Sequence, residues 1–376
     1  MKNVLGIIMA FDRSSELRDL TDDRCVGAIP FGGRYRIIDF MLSNMVNSNI
    51  NSVGIVLRDQ YQSLIDHIGN GKDWDLARKI GGISILPPFS YSKRGGLKTS
   101  QGTNGKIEGL VGISDYIKKS KAEYVVISGA NIITNIDLSK VVEQHVKSEV
   151  DITCVCTHIK SLSSSDTYFD VNPDNSIKDL WIGTEYAENY RYSGLGIYVI
   201  KKSLLEKLIP IWTSHNMKYF EQEGLTLAMK SDIKLGAYIH DAYTRKVTNI
   251  RRYYDANMDL LDKDVREALF LKSRPIFTKV HDEQPTYYSD KAIGKQSLIA
   301  DGCTIEGTVE NSIIFRDVHI KEGAVVKNSI VLQGGKICSN ASISNIIADK
   351  SVNITEDKTM MGHRNYPIVI AKFTAI

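Results

Sequence analysis

The sequence predicts an α/β chain: a doubly wound sheet domain followed by a parallel β-helix. Two observations carry this reading. Through residues 1–250, short apolar strand-like runs alternate with helix-like runs, the pattern of βαβ units on an open sheet. In roughly the last ninety residues, short apolar segments recur with a spacing of 17 residues, a period that marks stacked repeats. The organisation expected is residues 1–250 as the sheet domain, 251–290 as a helix and linker, and 291–376 as the β-helix.

In order along the chain, Val4 to Met9 is a buried first strand and Ile37 to Asn47 a helix. Ser52 to Leu57 reads as a strand, Gln60 to Ile68 as a helix, and Ile83 to Leu86 as a strand before a polar loop, Ser90 to Thr103. Ile107 to Lys118 is helical by pattern, Tyr124 to Ile127 an apolar strand, Leu138 to Lys147 a helix and Val150 to Thr157 another strand. Ligands of such sheets bind at the carboxyl ends of the strands. Between Arg251 and Lys272, Ala256, Met258, Leu260, Leu261, Val265 and Leu269 recur on one side, which predicts one amphipathic helix. A linker with Pro275 and Pro285 follows.

Within the repeat region, Asn311, Asn328 and Asn345 are 17 apart, as are Ile320, Ile337 and Ile354. Inside each unit apolar residues step by six: Ile314, Ile320, Val326, then Val331, Ile337, Ile343. Three short strands per turn, stacked turn on turn, bury such a pattern as an aliphatic core. The hexad resembles the left-handed parallel β-helix of hexapeptide-repeat proteins.

Composition excludes several classes. A chain of 376 residues exceeds one ordinary domain. Hydrophobic content of 43% and charged content of 24% are those of a globular protein. A net charge of +3 gives no argument for nucleic acid or a membrane surface. No apolar run approaches the roughly 18 residues of a membrane span. The apolar start is too short for a signal peptide. Five scattered cysteines, with Cys154 and Cys156 alternating in a strand, lack a second ligand pair for zinc. Reduced thiols and a cytoplasmic location are therefore expected.

Specific strings add to this. Phe31-Gly-Gly-Arg-Tyr-Arg-Ile-Ile-Asp-Phe40, Leu42-Ser-Asn44, Ser193 to Tyr198 (SGLGIY), Asn257-Met-Asp-Leu-Leu261 and Glu306-Gly-Thr-Val-Glu-Asn311 run through nearly the whole chain. Together they resemble the glucose-1-phosphate adenylyltransferase (ADP-glucose pyrophosphorylase) family. That resemblance implies a nucleotidyltransferase-like (Rossmann-like) N-terminal domain and a hexapeptide β-helix. It also implies a reaction of ATP with glucose 1-phosphate in glycogen synthesis. The transition state of that reaction gathers negative charge, so it needs Mg²⁺ held by carboxylates and cations on the phosphates.

The chain departs from the family at each of these points. The glycine-rich turn that lets backbone N–H groups approach a phosphate holds Phe11, Asp12 and Ser14 at its glycine positions and Glu16 at its arginine position. The two metal aspartates correspond to Ala130, in Ser128-Gly-Ala-Asn131, and Lys246, in Thr244-Arg-Lys-Val-Thr-Asn249. The lysine of R-A-K-P-A-V is Val26, the G-T-A-D-A of the nucleotide pocket is Gly102-Thr-Asn-Gly-Lys106, and Gly183 stands where a sugar-phosphate lysine falls. No catalytic, metal or cofactor residue is therefore assigned. A scaffold kept while its chemistry is dropped resembles the degenerate regulatory-type subunit of the family. That likeness implies a heterotetramer with a catalytic subunit, which the partner would activate or retune. The alternatives are an active nucleotidyltransferase using substituted residues, and a free-standing sugar-phosphate or nucleotide sensor. Arg24 and Arg36 match arginines in the region where the family binds anionic activators, and are candidate ligands for a sugar phosphate or other anion. Surface arginines paired with Asp22 or Asp39 are the competing expectation. His319, His363 and the acidic Asp19, Asp22 and Asp23 are expected in surface or loop roles, and Asp39 in a structural one.

Overall fold

The computed structural model describes residues 3–11, 15–86 and 105–376. It divides into two compact units: Met1–Asp12, Phe40–Tyr61 and Ile68–Thr244 form the first, and Arg13–Asp39, Gln62–His67 and Arg245–Ile376 the second.

The first unit is built on a nine-stranded mixed sheet. Its strands are β1 (Val4–Met9), β2 (Ser52–Val56), β3 (Gly82–Leu86), β4 (Tyr124–Gly129), β5 (Ile152–His158), β6 (Thr167–Val171), β7 (Ile177–Ile182), β8 (Tyr192–Lys201) and β9 (Leu235–Ile239). The order β7-β6-β8-β4-β1-β2-β3 has β5 between β8 and β9. The half formed by β4, β1, β2 and β3 is parallel. β1 is buried along its whole length, which explains why it reads as a continuous apolar run. β8 runs antiparallel to both β4 and β5 and so reverses the sheet. Helix packing supplies a core that includes Ile7, Met9, Ile107, Leu110, Ile127, Tyr198 and Trp212. The helix expected over Ile107 to Lys118 is two, α2 (Lys106–Gly112) and α3 (Ser114–Lys119), broken at Ile113. Gly112 at the break is the residue type that ends a helix readily. The polar loop expected over Ser90 to Thr103 lies outside the described residues.

In the second unit, Pro30–Phe31 and Tyr35–Arg36 pair antiparallel in a short hairpin. Its loop holds Gly32 at φ +60° and Gly33 at φ +85°, which side chains disfavour. A Cβ on Gly32 would lie 2.7 Å from Leu260 Cδ1. The span read as one helix over Arg251 to Lys272 is likewise two, α4 (Ile250–Asp259) and α5 (Lys263–Leu269). The break is active: Asp262 caps α5 by accepting from Asp264 N. α4 holds the hairpin in place. Tyr253 Oη donates to Pro30 O at 2.7 Å and Asn257 Oδ1 accepts from Gly32 N at 3.0 Å.

The repeat region forms three five-stranded parallel sheets, the arrangement of a β-helix. Partners in register are 17 residues apart in most coils, as in Val309↔Val326↔Ile343↔Met360. One turn is shorter, with Ile293 against Thr308, Leu298 against Ile313 and Ile305 against Ile320. All six residues of the hexad are fully buried in one aliphatic core. Asn311, Asn328 and Asn345 adopt left-handed φ of 46°, 45° and 54° at equivalent corners. Asparagine tolerates that region better than most side chains, and Asn311 Nδ2 donates to Asn328 Oδ1 at 2.5 Å.

Candidate functional site

Of the positions that depart from the family's motifs, Phe11, Ala130 and Gly183 belong to the first unit and Glu16, Val26 and Lys246 to the second. Phe11 directly follows β1 and is buried, in the core with Met9, Ile107 and Leu110. Its ring packs against α2, because a Cβ on Gly109 would sit 3.0 Å from both Phe11 Cε1 and Cζ. The first glycine position of the family's phosphate turn is thus occupied by an aromatic ring held in the core. Asp12 and Ser14 lie outside the described residues. Glu16 is exposed on a 3-10 helix, Ser15–Thr21. Ala130 follows β4, is fully buried, and donates its N–H to Met9 O at 3.0 Å. A methyl group there offers no ligand to a metal ion. Gly183 has φ +100° with open space where a side chain would be.

Sequence reasoning missed the polar cluster beside Gly196. Lys106 opens α2 and its Nζ pairs with Glu221 Oε1, both largely buried. Tyr198 Oη donates to the same oxygen at 2.9 Å. Burial, then the Glu221 carboxylate, pushes the tyrosine phenol well up. A Cβ on Gly196 would lie 3.6 Å from Lys106 Nζ. Lys106 and Glu221 are 115 residues apart, so no local pattern announces them.

In the second unit, of the two candidate arginines, Arg24 is buried and Arg36 half-buried. Arg24 is 4% exposed and pairs with Asp349 in the β-helix, whose side chain is fully buried. Arg36 Nη1 donates to Ser63 O at 2.5 Å and Ser63 Oγ at 2.8 Å. The expected surface pairs with Asp22 or Asp39 are not made by these guanidiniums: Asp39 accepts from the Arg36 backbone N–H at 2.9 Å and bonds His67 Nε2 at 2.6 Å. Asp39 is structural, as its place after two apolar residues implies. Lys350, next to Asp349, is the further member that the sequence did not reveal. Burial first, then the charges of Arg36 and Arg24, lower its ammonium to about 8. Lys372 pairs with Asp23 at 2.6 Å. The cluster is cationic, with Asp349 its buried counter-charge. Val26 is buried on the 3-10 helix Val26–Ala28, and Lys246 is half-buried at the end of strand Thr244–Lys246.

Residues 5–263 match the family described as Nucleotidyl transferase, and residues 280–365 match that described as GlmU-like, C-terminal hexapeptide. The chain is 33% identical over 371 residues to the glycogen biosynthesis protein GlgD of Bacillus subtilis (strain 168), covering 98% of this chain and 96% of the relative. It is 35% identical over 327 residues to GlgD of Geobacillus stearothermophilus, covering 86% and 82%. It is 31% identical over 373 residues to a glucose-1-phosphate adenylyltransferase of Bacillus cereus (strain ATCC 14579), covering 97% and 96%. The chain belongs to the glucose-1-phosphate adenylyltransferase family. Within this family fold, the hairpin Phe31–Arg36 and helix α4 are the kept strings Phe31 to Phe40 and Asn257 to Leu261. Their packing explains their retention: Asn257 is fully buried and holds the Gly32 turn.

His319 is half-buried, 3.6 Å from Asp317, and His363 is exposed and bridged to Tyr366. Among the described residues no three His, Cys, Asp or Glu side chains come together as a metal site, and no helix is long and apolar enough to cross a membrane. All five cysteines are free thiols.

Proposed function

We propose that this protein is a regulatory subunit of glucose-1-phosphate adenylyltransferase in glycogen biosynthesis, without useful catalysis of its own. The observation that carries the reading is Ala130: a fully buried methyl where the family's first metal carboxylate falls. Lys246 at the second position, and Phe11 packed against Gly109, support it. Two relatives named GlgD, at 33% and 35% identity, support the pathway. The chain acts by joining a catalytic subunit, as a heterotetramer, and stabilising its active conformation through contacts that differ between states. Arg24, Arg36 and Lys350 are proposed to receive an anionic effector, such as a sugar phosphate. The free thiols fit a cytoplasmic location.

The test is co-purification with a catalytic homologue, followed by an ADP-glucose assay of each subunit and the mixture. The mixture is expected to elute as one assembly with a changed maximal rate or activator response. Separate elution at micromolar concentration, with the partner's kinetics unchanged, removes the reading.

A further inference from the structure

Arg316 sits in the second coil of the β-helix with 7% of its surface exposed. Its Nε is buried and has no hydrogen-bond partner among the described residues. The guanidinium retains a full positive charge, and leaving its buried Nε–H unmade carries a desolvation penalty. Native proteins keep such a group where something pairs with it.

The surroundings add positive charge. The hairpin tip bearing Arg34 reaches this part of the β-helix, since a Cβ on Gly33 would lie 3.7 Å from both Ala300 Cβ and Ile314 O. Arg34 is exposed, its Cζ 5.7 Å from the Tyr35 ring centroid. Tyr35 in turn stacks on Phe270 at 5.1 Å. After burial itself, the Arg34 charge is the largest influence lowering Arg316, and Arg316 in turn lowers His281. Lys279 lies in the same segment, its Nζ donating to Asp66 O at 2.8 Å. The carboxylates that offset this charge, Asp301 and Glu283, are both exposed. Thr278, three residues before His281, also has a buried hydroxyl without a hydrogen-bond partner among the described residues.

We propose that Arg316, with Arg34 and His281, forms a second anion site that takes a small oxyanion, phosphate or carboxylate, separate from the Arg24–Arg36–Lys350 cluster. The planar guanidinium fork matches either oxyanion. Arg316 supplies the buried Nε donor, and the exposed Arg34 on the hairpin tip supplies charge from the solvent side. The site rests on no part of the regulatory reading.

The experiment is calorimetric titration of the full-length protein, dialysed free of oxyanions, with inorganic phosphate and separately with acetate. Melting temperatures are read alongside. In the Arg24→Ala/Arg36→Ala variant, saturable binding of one of the two anions is expected to persist. Arg316→Met is expected to weaken that binding by roughly tenfold or more, the worth of a charged hydrogen bond. In oxyanion-free buffer the same variant should melt no lower than wild type, because an unpaired buried charge has been removed. Should the double variant fail to fold, Arg316→Met in the wild-type background must lower the number of anions bound by one. Unchanged affinity and stoichiometry in Arg316→Met, or no saturable binding of either anion by wild type, overturns the proposal. Loss of activation of a catalytic partner with phosphate binding intact would count against the regulatory reading alone.

Discussion

In the first unit, the polar side chains around Gly196 close on one another: Lys106 and Tyr198 both meet Glu221. In the second, Arg36 donates through its side chain to the neutral Ser63, Lys350 is lowered by burial and then by neighbouring cations, and Arg316 leaves a buried donor unmet among the described residues. One region answers its charges internally; the other accumulates positive charge that its own carboxylates only partly cancel. This difference is the ground for proposing that an external anion is recognised in the second unit.

The largest expected effect is on catalysis. Alone, with ATP, glucose 1-phosphate and Mg²⁺, the chain should form no ADP-glucose, since single electrostatic groups of this kind are each worth about 10²–10³ in rate. Ala130→Asp with Lys246→Asp should leave it inactive, because Phe11 still occupies the first glycine position. An assay showing turnover near the ~10 s⁻¹ of a typical enzyme, in wild type or in that variant, breaks the comparison at its first term.

Phe11 itself sharpens it. Its ring is part of the core, so Phe11→Ala should destabilise by about 3–5 kcal/mol. Gly109→Ala would ordinarily stabilise a helix by about 1 kcal/mol, but its Cβ would meet the ring at 3.0 Å, so a loss is expected instead. The double variant should be more stable than the sum of the two losses, a coupling read from urea midpoints. Additive losses would mean that the ring does not lean on Gly109.

The two buried ion pairs should respond differently. Asp349→Ala strands Arg24 without its partner and should destabilise by about 3–5 kcal/mol. Phosphate is expected to restore part of that loss, because further cations surround the vacated position. Lys106→Met strands Glu221 in the same way, yet phosphate should do nothing there, whereas adding Glu221→Leu should recover most of the stability. Thermal melts with and without phosphate decide this; equal phosphate rescue of both single variants would erase the distinction between the units.

How much of this was legible differs by region. The β-helix was legible because its core repeats along the sequence, Ile320, Ile337 and Ile354 being 17 apart, and stacking turns a sequence period directly into contacts. The loss of metal ligands was legible because Ala130 lies in a recognisable string. Helix breaks were missed at Ile113 and at Leu260–Asp262, although Gly112 and the Asp262 cap signal them locally. Arg24 with Asp349, 325 residues apart, and Lys106 with Glu221 could not be read at all. Such pairs exist only once the chain has folded. Arg316 gave no signal either, since an arginine in a β-helix coil reads as surface until its burial is known.

The smallest effect is a pH dependence at Lys350. Its ammonium is lowered from 10.5 to about 8, by burial and then by Arg36 and Arg24. A base whose folded value lies below its unfolded value opposes folding fully at pH below 8. That opposition fades as pH rises through 8 and is gone above 10.5, so this group makes stability rise with pH across that window. Anion affinity must run the other way. The protonated lysine is the binding form, so affinity for phosphate at the Arg24–Arg36 cluster should be level below pH 8. It should then fall by up to about tenfold per pH unit between 8 and 10. Lys350→Gln should flatten both trends while weakening binding at pH 7. Titrations between pH 7 and 9.5 measure it: an affinity that stays constant across that range, or a Lys350→Gln variant with the wild-type slope, shows that the lysine does not face the anion.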